Sequence, residues 1–117
     1  MIRSLIVVAL LSALPAAPAF ADARSDARQQ VEFGIAVAQR GLWREAIFRW
    51  QRATELDPSY AQAFNNLAIA WEHEGDLDKA REAYEKALRL EPNNALIKQN
   101  FELFKEINER SGRTGDR

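Results

Sequence analysis

The sequence predicts an all-α fold made of a repeated helical hairpin and a closing helix. Two phrases carry much of this reading: "RATELDPSYAQAF" from Arg52 and "KALRLEPNNALI" from Lys86, whose prolines, Pro58 and Pro92, stand 34 residues apart. Residues 27–60 also align without a gap on residues 61–94, with identities at Ala27/Ala61, Ile35/Ile69, Ala36/Ala70, Gly41/Gly75, Ala46/Ala80, Ala53/Ala87, Leu56/Leu90 and Pro58/Pro92. Finally, the composition favours helix: Ala, Leu, Glu and Arg are abundant, and runs of β-branched residues are missing beyond the first ten positions.

The amino terminus has its own logic. Arg3 precedes an apolar run from Leu5 to Leu14, Pro15 and Pro18 break that run, and Ala19-Phe20-Ala21 supplies small side chains around a cut after Ala21. This is the layout of a secretory signal peptide over residues 1–21. The run is too short for a comfortable membrane span, which needs roughly 20 residues. A retained amino-terminal anchor is the alternative. The expected location is therefore exported, periplasmic or secreted, with no stable membrane insertion after cleavage.

A short linker, residues 22–26, leads into the repeats. Helices are expected at about 26–40, 43–55, 59–74, 77–90 and 94–109. Gly41 and Gly75 can adopt the left-handed conformation that ends a helix. Asp57-Pro58 and Glu91-Pro92 close one helix and open the next. Ala46, Ala53, Ala80 and Ala87 repeat at seven-residue spacing on one helix face and let neighbouring axes approach. The aromatic residues Phe33, Trp43, Trp50, Phe64, Trp71 and Tyr84 fall in the repeat register and are expected in the core, whereas Phe48 has Glu82 as its counterpart and is expected at the surface.

These landmarks resemble the tetratricopeptide repeat (TPR) family. In the second unit, Phe64, Leu67, Ala68, Trp71, Gly75, Ala80, Tyr84, Ala87 and Pro92 occupy the family's signature positions. The first unit matches through Phe33, Gly34, Val37, Gly41, Ala46, Trp50, Ala53 and Pro58, and departs at Gln30 and Leu42. The resemblance implies a helix-turn-helix solenoid: a first repeat over 27–60, a second over 61–94, and a capping helix over 95–110. Residues 111–117, "SGRTGDR", are expected to form a disordered tail. In the last helix Glu102 replaces the small residue of earlier units, and Lys98, Glu102, Lys105 and Glu109 make a charged stripe suited to a solvated end cap.

The search for chemistry excludes more than it finds. With no Cys, neither a disulfide nor a thiolate zinc site can form. A formal net charge of −1 gives no basic surface for nucleic acid. His73, the sole histidine, sits among Glu72, Glu74, Asp76 and Asp78, but the spacing does not build a calcium loop. No nucleophile has a base partner, no acid/base pair is recognisable, and no Gly-rich phosphate loop is present. The sequence therefore predicts no enzyme activity, cofactor or metal.

Function then follows from the implied fold. The resemblance implies a concave groove lined by the first helix of each unit and holding a peptide or protein partner. Ile35, Ile69 and Leu103 recur at the repeat period, about 200° around the helix from Phe33, Leu67 and Phe101, which are expected in the core. They should form one apolar ridge, extended by Val31 and Leu96. Gln62, Asn65, Glu72, His73, Gln99 and Glu106 are expected to supply polar contacts at its edges. Burial of this ridge between successive units is the competing expectation. The family's carboxylate-gripping subclass is disfavoured, because its first-unit positions are Val31 and Ile35. Two functions stay open: a protein-interaction module with an occupied groove, and a structural self-assembly module of an envelope complex, with a homo-oligomer in view. The export reading gives the first testable outcome: intact-mass analysis of protein from its native host should show Asp22 at the amino terminus, whereas full-length protein confined to membranes would support the anchor.

Overall fold

The computed structural model describes residues 19–114. The leader expected over residues 1–21 lies outside the described residues up to position 18. Five helices follow one another: α1 (Ala19–Gln39), α2 (Trp43–Leu56), α3 (Ala61–Glu74), α4 (Leu77–Leu90) and α5 (Ala95–Thr114). No helix among the described residues is long and apolar enough to cross a membrane. Sequential neighbours pack: α1 on α2, α2 on α3, α3 on α4 and α4 on α5. The result is two hairpins and a final helix, the layout expected from the repeat.

The turns show why the helices end where they do. Gly41 and Gly75 both take left-handed backbone, with φ of 78° and 79°, a conformation that suits residues without a Cβ. Leu42, which breaks the expected capping pattern, gives α2 no side-chain cap, whereas the Asp76 side chain accepts from the Lys79 backbone N–H at the start of α4. Between the hairpins, the Asp57 carboxylate accepts from the Ser59 backbone at 3.0 Å and from the Ser59 hydroxyl at 2.6 Å. These bonds hold the Pro58 turn closed and delay α3 until Ala61.

Two boundaries differ from expectation. Helix α1 is already formed at Ala19, the first described residue, so the segment expected as a linker is helical. Arg24 anchors it by pairing with Asp57 and lying 4.6 Å over the Tyr60 ring. Helix α5 continues to Thr114, through Ser111–Thr114, which were expected in a disordered tail. Among the described residues of α5 there is no proline and no left-handed glycine; residues 115–117 lie outside the described residues.

The core is assembled from small and large residues in register. Ala46, Ala53, Ala80 and Ala87 are fully buried. Against this small-residue face, one aromatic of each second helix reaches into its hairpin. Trp50 and Tyr84 are 3% and 1% exposed. The Trp50 indole donates to the Val31 carbonyl at 3.1 Å and covers Gly34. A Cβ on Gly34 would come within 2.3 Å of Trp50 Nε1. In the second hairpin the smaller Tyr84 leaves room for Ala68, which is buried. The phenol continues into the cap, 5.4 Å from both Phe101 and Phe104. On the outward side of α5, Lys98 and Glu102 are exposed and Glu102 pairs with Lys105 at 2.8 Å.

Phe33 corrects the core list. It is 46% exposed, whereas its counterparts Leu67 and Phe101 are 6% and 8% exposed. The later units have a preceding second helix packed against this register position; among the described residues, α1 has none. Phe48 is exposed as expected, at 60%.

The close approach of Trp50 yields a measurable outcome. Gly34→Ala should destabilise the chain by about 1–3 kcal/mol through overpacking, despite the better helix propensity of alanine. In urea unfolding, much of the loss should disappear when Trp50→Tyr is added, because that pair reproduces Ala68 and Tyr84. An unchanged midpoint in the single variant would mean that the indole does not rest on Gly34.

Candidate functional site: the concave groove

The first helix of each unit, α1, α3 and α5, supplies the groove. Ile35 and Ile69 are half-buried at the same register position of adjacent helices. With Ala38, Trp43, Trp50 and Asn66 they line a shallow apolar cavity of about 350 Å³. Trp43 is positioned by the Gly41 turn at the start of α2, and its ring stacks on the exposed His73 at 3.9 Å and 10°. The stack joins the two hairpins at the mouth of the cavity. Beside it, Arg44 reaches Glu74 at 3.3 Å across the same junction.

Asn66 also lines a second cavity, of about 600 Å³, toward the Pro58 and Pro92 turns. Gln62, Asn65, Asn94 and Leu96 contribute to it, with Tyr60 and Ile97 at its base. The groove is thus apolar near the glycine turns and rich in amides near the proline turns, with α3 running through both halves. Side-chain amides present donors and acceptors together and can satisfy a peptide main chain without adding charge.

The expected ridge is only partly assembled. Ile35 and Ile69 meet in one cavity, and Leu103 continues their register on α5 with 54% exposure. Leu96, 61% exposed, opens into the amide-rich cavity. Val31 does not face the groove: it is fully buried, where its carbonyl receives the Trp50 indole. Its backbone is held against α2 by the same contact that fixes Gly34. Asn65 is 4% exposed, and its oxygen accepts from Asn100 Nδ2 at 3.3 Å. It therefore ties α3 to α5 more than it meets solvent. Gln62, Gln99 and Glu106 are exposed, with Glu106 paired to Arg110 at 2.6 Å.

Glu72 is turned toward the hairpin interior, where it accepts from the Tyr84 hydroxyl at 2.7 Å. Burial of the phenol, followed by this hydrogen bond and the carboxylate's charge, pushes the Tyr84 hydroxyl well above the usual phenol range. Sequence reasoning missed two contributors, Trp43 and Asn66. Trp43 has a larger ring than its counterpart Leu77, so it reads as core; its groove exposure depends on the crossing of α2 and α3. Asn66 follows Asn65 directly, and only the helix rotation decides which amide faces outward.

Successive helical hairpins packed in chain order, with a recessed face built from alternate helices, define a repeat scaffold for protein–protein interaction. The chain belongs to the tetratricopeptide repeat family, whose sequence pattern matches residues 31–95. Among curated proteins it is similar to the type IV pilus assembly protein PilF of Pseudomonas aeruginosa, with 34% identity over 67% of this chain and 31% of that protein. The photosystem I assembly protein Ycf3 of Rippkaea orientalis is 29% identical over 58% of this chain and 47% of that protein. The chloroplastic tetratricopeptide repeat protein PYG7 of Arabidopsis thaliana is 29% identical over 62% and 24%. The chain thus spans between a quarter and a half of these relatives.

The Tyr84–Glu72 bond makes stability depend on alkaline pH. The folded state keeps the phenol protonated, whereas the unfolded state releases the proton near 10.0, the ordinary value of a tyrosine. Stability should be unaffected by this group below that pH and should fall as pH rises above it. Tyr84→Phe should cost about 1–2 kcal/mol at neutral pH, by loss of a hydrogen bond to a carboxylate, and should flatten the alkaline decline. Urea midpoints measured from pH 8 to 11 check both parts; an equally steep decline in the variant would assign the alkaline loss to other groups.

Proposed function

We propose that the groove binds an extended segment of a partner protein, with one apolar side chain seated between Ile35, Trp43 and Ile69. The adjoining amides of Asn66 and Gln62 then receive the partner's main chain. The single observation that carries this reading is the meeting of the apolar and amide-rich cavities at Asn66. An apolar cavity alone would suit any greasy surface; coupling it to amides along one helix suits a side chain and its own backbone. Apolar burial contributes affinity, and the amides fix direction.

The names of two relatives, which assign assembly roles to a type IV pilus protein and a photosystem I protein, support a place in building a multi-protein complex. Together with the Arg3/Leu5–Leu14/Ala19-Phe20-Ala21 pattern, this favours a partner in the cell envelope. The chain acts here as a non-enzymatic adaptor whose chemistry is recognition.

The test uses peptides selected from a random library on the wild-type chain, with affinities measured by calorimetry. Ile69→Asp places a charge at the centre of the cavity and should weaken the selected peptides by about 2 kcal/mol or more, since central contacts dominate interfaces. Asn66→Ala should weaken them less while leaving the melting temperature near the wild-type value. Peptides that bind both folded variants as tightly as the wild type would place recognition outside the groove. Loss of helicity in Ile69→Asp, with Asn66→Ala binding normally, would make the ridge part of the core.

A further inference from the structure

The two ends of the array are unlike. At α5 the aromatics Phe101 and Phe104 are buried, and the exposed residues include Lys98 and Glu102 as well as Leu103 and Ile107. At the opposite end, Phe33 and Phe48 are 46% and 60% exposed. The Arg49 guanidinium lies between them, 4.1 Å from the Phe33 ring centroid and 5.5 Å from that of Phe48. Arg49 Nε and Gln30 Oε1 are both buried without a hydrogen-bond partner. This end has the composition of a junction between units, and within the array the corresponding junction is covered by a helix: Leu67, equivalent to Phe33, is 6% exposed.

From this uncovered face and the charge order along α2, we propose that the chain forms a two-fold dimer through Phe33 and the outer stripe of α2. Glu45, Phe48, Arg52 and Glu55 are all exposed and follow the i, i+3, i+7, i+10 spacing of one helix face. Arg49 borders the same stripe. When two copies of α2 lie antiparallel about an axis near Phe48 and Arg49, Glu45 of each meets Arg52 of the other, and the Phe48 ring meets the other copy's Arg49. Every charge in the centre of the stripe then finds its opposite, and each aromatic finds a cation. Such self-complementarity is what an isologous interface requires. Within one copy these charges are occupied by Arg52–Glu55 at 3.1 Å, which is exposed, and by Arg49–Glu45 at 4.0 Å, in which Arg49 is half-buried. They cost little to exchange.

The dimer leaves the concave groove open, since none of Phe33, Phe48, Arg49 and Arg52 lines its two cavities. It would present two grooves on one assembly, so a partner with two matching segments would gain by avidity.

Sedimentation velocity of the full chain across a concentration series tests the proposal. The wild type should associate to a dimer with a dissociation constant on the order of 10–100 µM, as fits a small interface. Phe48→Ser should raise that constant at least about tenfold. Glu45→Arg and Arg52→Glu should each weaken association by a similar factor, and the chain carrying both should return to within about threefold of wild type, because the swapped charges again face their opposites. Far-ultraviolet circular dichroism confirms that each variant is folded. A wild type that stays monomeric throughout overturns the proposal. So does a dimer indifferent to all three single substitutions, which would run through another surface, and so does failure of the double swap to recover what both single reversals lose. A monomer that dimerises only after removal of residues 1–18 would give the face to that segment and overturn it equally. Groove affinity for the selected peptides should be unchanged in Phe48→Ser, which separates this outcome from failure of the groove itself.

Discussion

The structure depends on how closely the two helices of a hairpin approach, and an aromatic side chain sets that distance. Trp50 lies against Gly34 where a Cβ would come within 2.3 Å of the indole nitrogen. The same indole donates to the Val31 carbonyl. One side chain therefore fills the space between α1 and α2 and fixes their relative rotation. Tyr84 has the corresponding place in the second hairpin, but its smaller ring admits Ala68 and its hydroxyl is used on Glu72. Burial of apolar area drives the packing, while these polar anchors select one rotation among several that would bury similar area.

Groove geometry follows from that rotation. With Val31 turned inward, Ile35 is left at the surface of α1, opposite Ile69 on α3. Trp43 enters from the start of α2 and closes the side of the cavity, with His73 stacked on its face. Toward the proline turns the pairing of Asn65 with Asn100 ties α3 to α5 and leaves Asn66 on the cavity wall, where Gln62 Oε1 also accepts from the Tyr60 hydroxyl at 3.2 Å. The groove is thus made from residues that the hairpin contacts leave over, and a change in the core register would exchange its lining.

The ends of the array obey the same packing rule with opposite results. Where α4 exposes an apolar flank, α5 covers it with Phe101, Phe104 and Ile97 and turns charges outward. Where α1 exposes the equivalent flank, the Arg49 guanidinium lies over Phe33, which is 46% exposed among the described residues. Stacked repeats gain stability from each interface between units, so an uncovered junction residue is a place where a second surface adds stability at modest cost. The face proposed for the dimer and the groove proposed for recognition are physically separate, since they share no lining residue.

The repeat period, the turn residues and the small-residue face were legible in the sequence because they rest on local constraints. Gly41 and Gly75 are needed for left-handed backbone, Pro58 and Pro92 interrupt helix, and Ala46, Ala53, Ala80 and Ala87 permit close axes. The chemistry of position 69 was also legible, since its period matched Ile35. The facing of Val31 and Asn65 was not: helical spacing gives an angle around one axis, but burial depends on what stands opposite that angle. Phe33 makes the same point from the other side, for its register is that of a core residue and its exposure is that of an end. The helical segment over residues 22–26 is tied to the array by Arg24 reaching Asp57 across 33 positions of chain, a contact with no local signature. Local backbone preference and periodicity are written in neighbouring residues; which face meets solvent is set by partners far along the chain, and these are brought together only when the helices pack.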